Sequence, residues 1–161
     1  MSRHDPEEIR YFEDFVVGEE RVSPVEYVVT VDELKSMSRR WDPQPFHLDE
    51  HAPETKEFGG LITCSAHTFA IFTHITSHDP LKSAAIAGLG FDAMRMLQPI
   101  RPGDRIRAVS SCLERRESRS KPDRGIIVGR TVLRNQRGED VFTVQSTTMM
   151  RRRPRTATRD A

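Results

Sequence analysis

The second half of the chain constrains the fold most, because it has the pattern of several long strands in succession. Strand patterns cover residues 84–96, 105–117, 125–135 and 140–151. The tetrapeptide QRGE at 136–139 predicts a hairpin loop between the last two strands. Along the second strand, apolar and small side chains alternate with charged and polar ones, so one face of this sheet needs a covering layer.

A single apolar segment in the first half can supply that layer. Residues 61–77 carry apolar side chains on most sides, which is typical of a buried helix. A strand is predicted over residues 21–29, and the box from Thr30 to Glu33 opens a short helix that runs to about Arg40. We therefore expect one α+β domain, in which an antiparallel sheet wraps around a central helix.

The composition excludes several classes of protein. The 161 residues include 25 Lys and Arg against 24 Asp and Glu, so charge gives no reason to expect nucleic-acid or membrane binding. The charged N-terminus and the two cysteines without a CxxC motif predict a cytoplasmic protein with reduced thiols. Residues 1–10 are predicted to be a flexible segment, 11–151 the domain, and 152–161 a flexible basic tail in preference to a nucleic-acid arm.

Asp42 and His47 are the strongest candidates for chemistry. They flank Pro43 and Pro45 in WDPQPFHLD, and the prolines predict a rigid, non-helical turn. A carboxylate and an imidazole held rigidly can act as acid and base on one reacting water. Alternatively, Asp42 caps a turn and His47 is a structural histidine, and their spacing alone favours that alternative.

The wider sequence resembles the family of MaoC-like dehydratases and (R)-specific enoyl-CoA hydratases. WDPQPFHLD is similar to the family's hydratase motif, D-x-N-P-apolar-H-x-D, and FGGLITCSAHT to the block that opens its central helix. GLGFD, LQPIRPGD and SRSKPDRG resemble further blocks, in the expected order between about residues 10 and 153. The resemblance implies a hot-dog fold and (R)-specific hydration of a trans-2-enoyl-CoA, or the reverse dehydration, without a metal or redox cofactor.

The same resemblance implies roles for individual residues. Asp42 and His47 would hold and activate one water, with His47 as the main general base and Asp42 orienting the water and helping to deliver a proton. The backbone N–H of Ser65, together with that of Ala66, is the candidate oxyanion donor at a helix N-terminus. Thr73 falls where some members carry a site serine.

Three positions depart from the family pattern. Gln44 stands where asparagine is usual, a small change if its role is to hydrogen-bond within the turn. Ser65 stands where glycine is usual, which would be costly if the position needed a positive φ or a close approach by the thioester. Ala66 replaces a common tryptophan and leaves room for a short or branched acyl group of the mesaconyl type.

Other candidate residues each admit a structural and a functional interpretation. His67, His74 and His78 lack a third ligand pattern such as HExxH, so packing is favoured over a metal site. Cys64 near a helix start is a small structural residue in preference to a nucleophile. The arginine cluster between residues 115 and 124 is either a solvated hairpin or a contact for CoA phosphates.

Two further functions remain open from the sequence. Hot-dog folds also host acyl-CoA thioesterases, but these typically place a carboxylate on or beside the central helix, and residues 61–77 contain none. A non-catalytic acyl-CoA-binding protein is the other alternative. Exposed edge strands predict a homodimer or higher homo-oligomer, since hot-dog proteins commonly pair these edges with the acyl tunnel at the interface.

Overall fold

The computed structural model describes residues 9–154, and its elements follow the predicted order. They are β1 (Ile9–Arg10), a 3-10 helix (Phe12–Asp14), β2 (Glu20–Val22), β3 (Tyr27–Val28), α1 (Val31–Trp41), α2 (Pro45–Leu48), α3 (Pro53–Glu57), α4 (Ser65–His78), β4 (Lys82–Ser83), β5 (Ala85–Met96), β6 (Arg105–Glu117), β7 (Arg124–Arg134) and β8 (Asp140–Arg151). Within the described residues, none of these helices combines the length and apolar character needed to cross a membrane.

The predicted α+β architecture is confirmed. The main sheet has the order β2-β6-β7-β8-β5, with β3 pairing the other end of β6, and its neighbouring strands are antiparallel. The strand predictions for 105–117 and 140–151 match β6 and β8 residue for residue. Half of the capping box is confirmed, since the Thr30 hydroxyl accepts the Glu33 backbone N–H at 3.3 Å, whereas the Glu33 carboxylate accepts from the Tyr27 hydroxyl.

The core lies between α4 and the inner face of the sheet. Ile71 and Ile75 of α4 pack with Ile106 of β6, Leu133 of β7 and Val144 of β8, all of them fully buried. Each such side chain contributes about 1.5–3 kcal/mol through the apolar surface that it removes from water. The sheet therefore wraps around the central helix, as the alternation along β6 predicts.

Two element boundaries differ from prediction. Residues 61–64 are extended instead of helical, because the Thr63 N–H donates to the Ile100 carbonyl at 2.9 Å and Cys64 has ψ 162°. The predicted strand over 21–29 is split into β2 and β3. Pro24 has no N–H to donate to the sheet, and the Ser23 hydroxyl accepts the Val25 N–H, which stabilises a turn at this point.

The central helix is less buried than its composition suggests. Ser65, Ala66, Thr73 and His74 are exposed along one side of α4, whereas the opposite side faces the core. The sheet covers only that opposite side. In one copy of the chain, the prediction of a buried helix therefore holds for only one side of α4.

The predictions of flexible ends fall mostly on residues 1–8 and 155–161, which lie outside the described residues. The part of each end that the structure describes is tied to the domain. β1 pairs in parallel with β4, and Arg152 donates to the Glu13 carboxylate at 2.9 Å. The ordered domain therefore extends slightly beyond the predicted 11–151.

Candidate functional site

The segment between α1 and α2 places Asp42 and His47 side by side. Asp42 is the C-cap of α1, and its N–H donates to the Ser38 carbonyl at 2.9 Å. Pro45 occupies the first turn of α2, where its fixed φ suits a helix start and its missing N–H costs nothing. His47 therefore lies on a one-turn helix, and the prediction of a wholly non-helical turn is wrong.

The hydrogen bonds of His47 define its chemistry. Its Nδ1 lies 2.7 Å from the Ile62 carbonyl oxygen, which can only accept, so Nδ1 carries the proton. The Nε2 lone pair is then free, and it faces Asp42 with 3.5 Å between Nε2 and Oδ2. The His47 side chain is 4% exposed and that of Asp42 is 40% exposed. A buried base and a solvent-accessible carboxylate thus share one location.

This pair opens into a cavity of about 400 Å³. Ser65 and Thr68 of α4 line one wall, and the stretch Met96–Ile100 after β5 lines another. The Thr63 and Thr68 hydroxyls are 2.8 Å apart and satisfy each other. Cavities of roughly 300–1,000 Å³ with a few convergent polar groups are typical of small-molecule sites.

The N-terminus of α4 points its free N–H groups at the same region. The first N–H groups of a helix have no acceptor within the helix, and the Cys64 N-cap side chain supplies none here. Ser65 is the first helical residue and lines the cavity. Among the described residues other than glycine, only Ala93 has a positive φ, so serine at position 65 is not strained.

The remaining predicted site residues lie elsewhere in a single copy. The Gln44 side chain is exposed and caps nothing, although its carbonyl accepts the His47 N–H at 3.0 Å. Ala66 is exposed on α4 and does not line the cavity of Asp42 and His47. Thr73 lines a different cavity, and its hydroxyl donates to the Phe69 carbonyl at 3.0 Å.

That second cavity, of about 420 Å³, is a feature that the sequence reasoning missed. It lies under the C-terminal half of α4, against the inner faces of β6, β7 and β8. The Ile62 carbonyl that orients His47 was missed as well. A backbone acceptor leaves no mark in the sequence, but the small and hydroxyl side chains at the inner positions of the strands were a readable signal for the cavity.

His67 lies in a cluster of hydrogen-bonded side chains with Tyr27 and Glu33. His67 is buried, its Nε2 lies 3.1 Å from the Tyr27 hydroxyl, and that hydroxyl donates to Glu33. Burial lowers the pKa of His67, with the Glu33 charge opposing it, and burial together with Glu33 raises the pKa of Tyr27. Within residues 9–154, no three His, Cys, Asp or Glu side chains cluster closely enough to hold a metal ion.

The arginine cluster is largely engaged by the protein itself. Arg115 donates to the carbonyls of Glu13 and Phe15 at 3.1 and 3.0 Å. Arg124 donates to both carboxylate oxygens of Asp123. These contacts favour the interpretation of a solvated, internally paired hairpin over a phosphate-binding site.

An antiparallel sheet around one helix, with a carboxylate and an imidazole beside the helix N-terminus, defines a hot-dog domain of the MaoC type. The MaoC like domain family matches residues 14–131, and the chain belongs to this family. The family predicted from the sequence motifs is thereby confirmed.

Individual proteins are similar to this chain to different degrees. The MaoC-like dehydratase from Rhodospirillum rubrum is 34% identical with a TM-score of 0.80, over 90% of this chain and 99% of that one. The R-hydratase PhaJ1 from Pseudomonas aeruginosa shares the fold, with 19% identity and a TM-score of 0.67 over 94% of both chains. The protein YdeM of Bacillus subtilis, itself uncharacterized, is 24% identical over 77% of this chain and 87% of its own length.

Proposed function

We propose that this protein is an (R)-specific enoyl-CoA hydratase, or in reverse a 3-hydroxyacyl-CoA dehydratase, for short or branched acyl groups. The proposal rests on the geometry of His47. Its Nδ1–H donates to the Ile62 carbonyl, so Nε2 faces Asp42 beside an open cavity. The resemblance of the surrounding motif to hydratases supports it. So does the fold shared with the R-hydratase PhaJ1.

His47 acts as the general base. Its Nε2 accepts a proton from a water held between the imidazole and the Asp42 carboxylate, and the water oxygen bonds to C3 of the enoyl group. The C2–C3 double bond is lost, and the electron pair passes onto the thioester oxygen as an enolate. The proton taken up by His47 then passes to C2 on the same face, with the help of Asp42, which restores the thioester and the neutral imidazole, so one water is added overall.

The N-terminus of α4 stabilises the enolate. The backbone N–H of Ser65 is an uncapped donor at a cavity wall, and the helix dipole adds a partial positive charge at the same end. A donor preorganised in this way contributes to rate because it is aimed at charge that develops in the transition state. The N–H of Ala66 is the second candidate donor.

A thioesterase is less well supported. Residues Ser65–His78 of α4 include no acid. The nearest following carboxylate, Asp79, receives two hydrogen bonds from Arg21 at 2.7 and 2.6 Å and is not free to act as a base. No geometry among the described residues favours thioester hydrolysis over hydration.

The active unit is a homodimer that pairs through β5. Among the described strands, β5 bonds to β8 on one side only. Four of its large apolar side chains, those of Leu89, Phe91, Met94 and Met96, are between 37% and 51% exposed, as is Leu97 directly after it. Ala85 at one end of β5 lines the second cavity and Met96 at the other end lines the cavity of His47, so a partner that pairs along β5 would lie beside both.

The test is loss of the enoyl-thioester absorbance when purified protein is added to crotonyl-CoA, with a free-thiol assay in parallel. We expect absorbance loss without thiol release, reduced by about 10²–10⁴-fold in Asp42→Asn and in His47→Ala. The His51→Ala variant is the matched control, since His51 is exposed and does not line the cavity. Thiol release that persists in the two site variants would instead establish a thioesterase.

A further inference from the structure

The segment between α3 and α4 carries the carbonyl that fixes the tautomer of His47. It comprises residues 58–64, has no regular secondary structure, and is called the strap below. The Ile62 carbonyl in the strap accepts the Nδ1–H of His47 at 2.7 Å. The alignment of the strap therefore decides which nitrogen of this imidazole is left to take a proton.

The strap begins in a Schellman motif at the end of α3. The Gly60 N–H donates to the Thr55 carbonyl at 2.9 Å. The Gly59 N–H donates to the Lys56 carbonyl at 3.0 Å. Both glycines have a positive φ, of +71° at Gly59 and +131° at Gly60, which residues with side chains rarely adopt. These bonds use the N–H groups of the turn, and the carbonyls of Phe58 and Gly60 still need donors.

Arg101 supplies donors to both of these carbonyls. Its Nη1 donates to the Gly60 carbonyl at 3.3 Å, and its Nη2 donates to the Phe58 carbonyl. Among residues 9–154, no other donor forms a hydrogen bond with either carbonyl oxygen. The guanidinium is planar and its N–H groups form a fixed fork, so one side chain holds the two carbonyls at a defined separation. The Arg101 backbone is fixed as well, because its N–H donates to the buried Asp104 carboxylate at 2.9 Å.

The residue before Arg101 holds the far end of the strap. The Ile100 carbonyl accepts the Thr63 N–H at 2.9 Å. This N–H and the Ile62 carbonyl belong to one planar trans peptide unit, so they point in opposite directions. The bond to Ile100 therefore aims the Ile62 oxygen at His47, and the Arg101 side chain secures the strap two residues earlier.

Aromatic packing links the same part of the strap to the imidazole. The Phe58 ring lies 5.0 Å from the Phe46 ring between centroids. The Phe46 ring in turn meets the His47 ring edge to face at 4.4 Å. Movement of the Phe58 backbone would therefore disturb the packing of His47 as well as its hydrogen bond.

We infer that Arg101 is a positioning residue for His47. Its guanidinium holds the start of the strap, so that the Ile62 carbonyl keeps the His47 proton on Nδ1 and leaves the Nε2 lone pair for the reacting water. Arg101 lines neither cavity, so it acts through the backbone of the strap and not by touching the substrate. The inference deepens the proposed function and rests on it, since His47 is the general base there.

The first test reads the tautomer without any substrate. In protein labelled with nitrogen-15 histidine, long-range nitrogen–proton correlation spectra distinguish a protonated ring nitrogen from an unprotonated one, and His47→Ala identifies the His47 signals. The spectra are recorded at about pH 8, above the ordinary pKa of an imidazole. We expect a proton on Nδ1 in the wild-type protein and a mixture of both tautomers in Arg101→Ala.

Arg105→Ala is the matched control for this spectrum. Arg105 follows the same turn, but its side chain donates to the Glu26 carboxylate and lines neither cavity. The His47 tautomer should therefore be that of the wild-type protein in Arg105→Ala. An unchanged His47 tautomer in folded Arg101→Ala would overturn the inference.

The second test is steady-state hydration of crotonyl-CoA. We expect kcat of Arg101→Ala to fall by about 10²-fold, the loss typical of a reacting group displaced by roughly 1 Å. KM should stay within about twofold of the wild-type value, because Arg101 does not touch the substrate. Free guanidinium ion, below the concentrations that unfold the protein, should raise kcat of Arg101→Ala but not that of His47→Ala.

The outcomes separate the inference from the proposed function. A raised KM with unchanged kcat would place Arg101 in substrate binding and would contradict the inference. If Arg101→Ala does not fold, Arg101→Met takes its place in both tests, since methionine keeps an unbranched apolar stem without any donor. If the wild-type protein does not hydrate crotonyl-CoA, the proposed function fails, whereas the tautomer comparison still decides the role of Arg101.

Discussion

The two ends of the central helix differ in how the chain builds them. At the N-terminal end of α4, Asp42, His47 and Ser65 come from one continuous stretch and meet around short local turns. At the C-terminal end, the cavity is assembled from α4 and from strands that range from β2 to β8. Chemistry at the first end depends on backbone groups and two side chains. The shape of the second end depends on which side chains line the inner face of the sheet.

Removing one backbone donor should give the largest contrast between the two ends. Ser65 is the first residue of α4 and Cys64 before it is extended, with φ −73° and ψ 162°, so proline fits position 65 without disturbing the helix. Ser65→Pro deletes the candidate oxyanion N–H, and we expect kcat for crotonyl-CoA hydration to fall by about 10²–10³-fold. The measurement is steady-state kinetics at saturating substrate.

Ser65→Ala controls for the loss of the side chain and should retain activity within a few-fold, roughly the effect expected away from the reacting atoms. The thermal midpoint of Ser65→Pro should stay near that of Ser65→Ala. A folded Ser65→Pro protein with undiminished kcat would mean that the helix N-terminus does not stabilise the enolate.

Breaking the β5 edge tests whether the two ends work together across two copies. Leu89 is 51% exposed on this strand, and Leu89→Arg places a charge where the second copy would pack. We expect the light-scattering mass to fall from about twice to about once the chain mass, and kcat/KM to fall by about tenfold or more. Val16→Arg is the control, since Val16 is 58% exposed away from β5. A fully active monomer would show that one copy suffices.

Acidification should affect the stability of the two ends in different pH ranges. Burial lowers the pKa of His67 from its ordinary 6.5. On acidification, His67 therefore binds a proton more readily in the unfolded chain than in the folded one, and the stability of the fold decreases as the pH drops below about 6.5. At the other end, burial favours a higher pKa of Asp79, but the hydrogen bonds from Arg21, Ser23 and the Leu81 N–H outweigh it. They hold this pKa below 3.8, so its contribution is lost only under stronger acid.

Thermal unfolding across pH measures both effects. His67→Gln keeps a donor for Tyr27 without a titrating group and should reduce the loss of stability between about pH 7 and 5. Asp79→Asn should leave that interval unchanged and flatten the curve below about pH 4. An unaltered pH profile in His67→Gln would show that His67 is not the group that couples protons to folding there.

Much of the first end could be predicted from the sequence because its signals are local. The prolines beside Asp42 and His47 mark a constrained segment, and the order of the family motifs places it before the central helix. The exact form of that segment could not be predicted. Whether Pro45 breaks a helix or begins one depends on the backbone that precedes it, and here α1 has already ended at Trp41.

The position of Thr73 shows the limit of arguments from spacing. A fixed offset from His47 suggests a shared site, but the intervening chain turns through α3 and an extended segment before α4 begins. Thr73 therefore faces the second cavity, more than two turns of helix away from Ser65. In a single copy the two residues belong to different ends of α4.

The sequence by itself determined the family, the α+β class, the strands of the meander and the candidate pair Asp42 and His47. These follow from alternation, turn chemistry and short motifs, which act over a few residues. Only the tertiary structure decided that Ile62 fixes the His47 tautomer, that one side of α4 is exposed, and that a second cavity lies under the C-terminal half of α4. Each of these depends on contacts between segments that lie apart in the sequence, and the sequence alone does not show which segments meet.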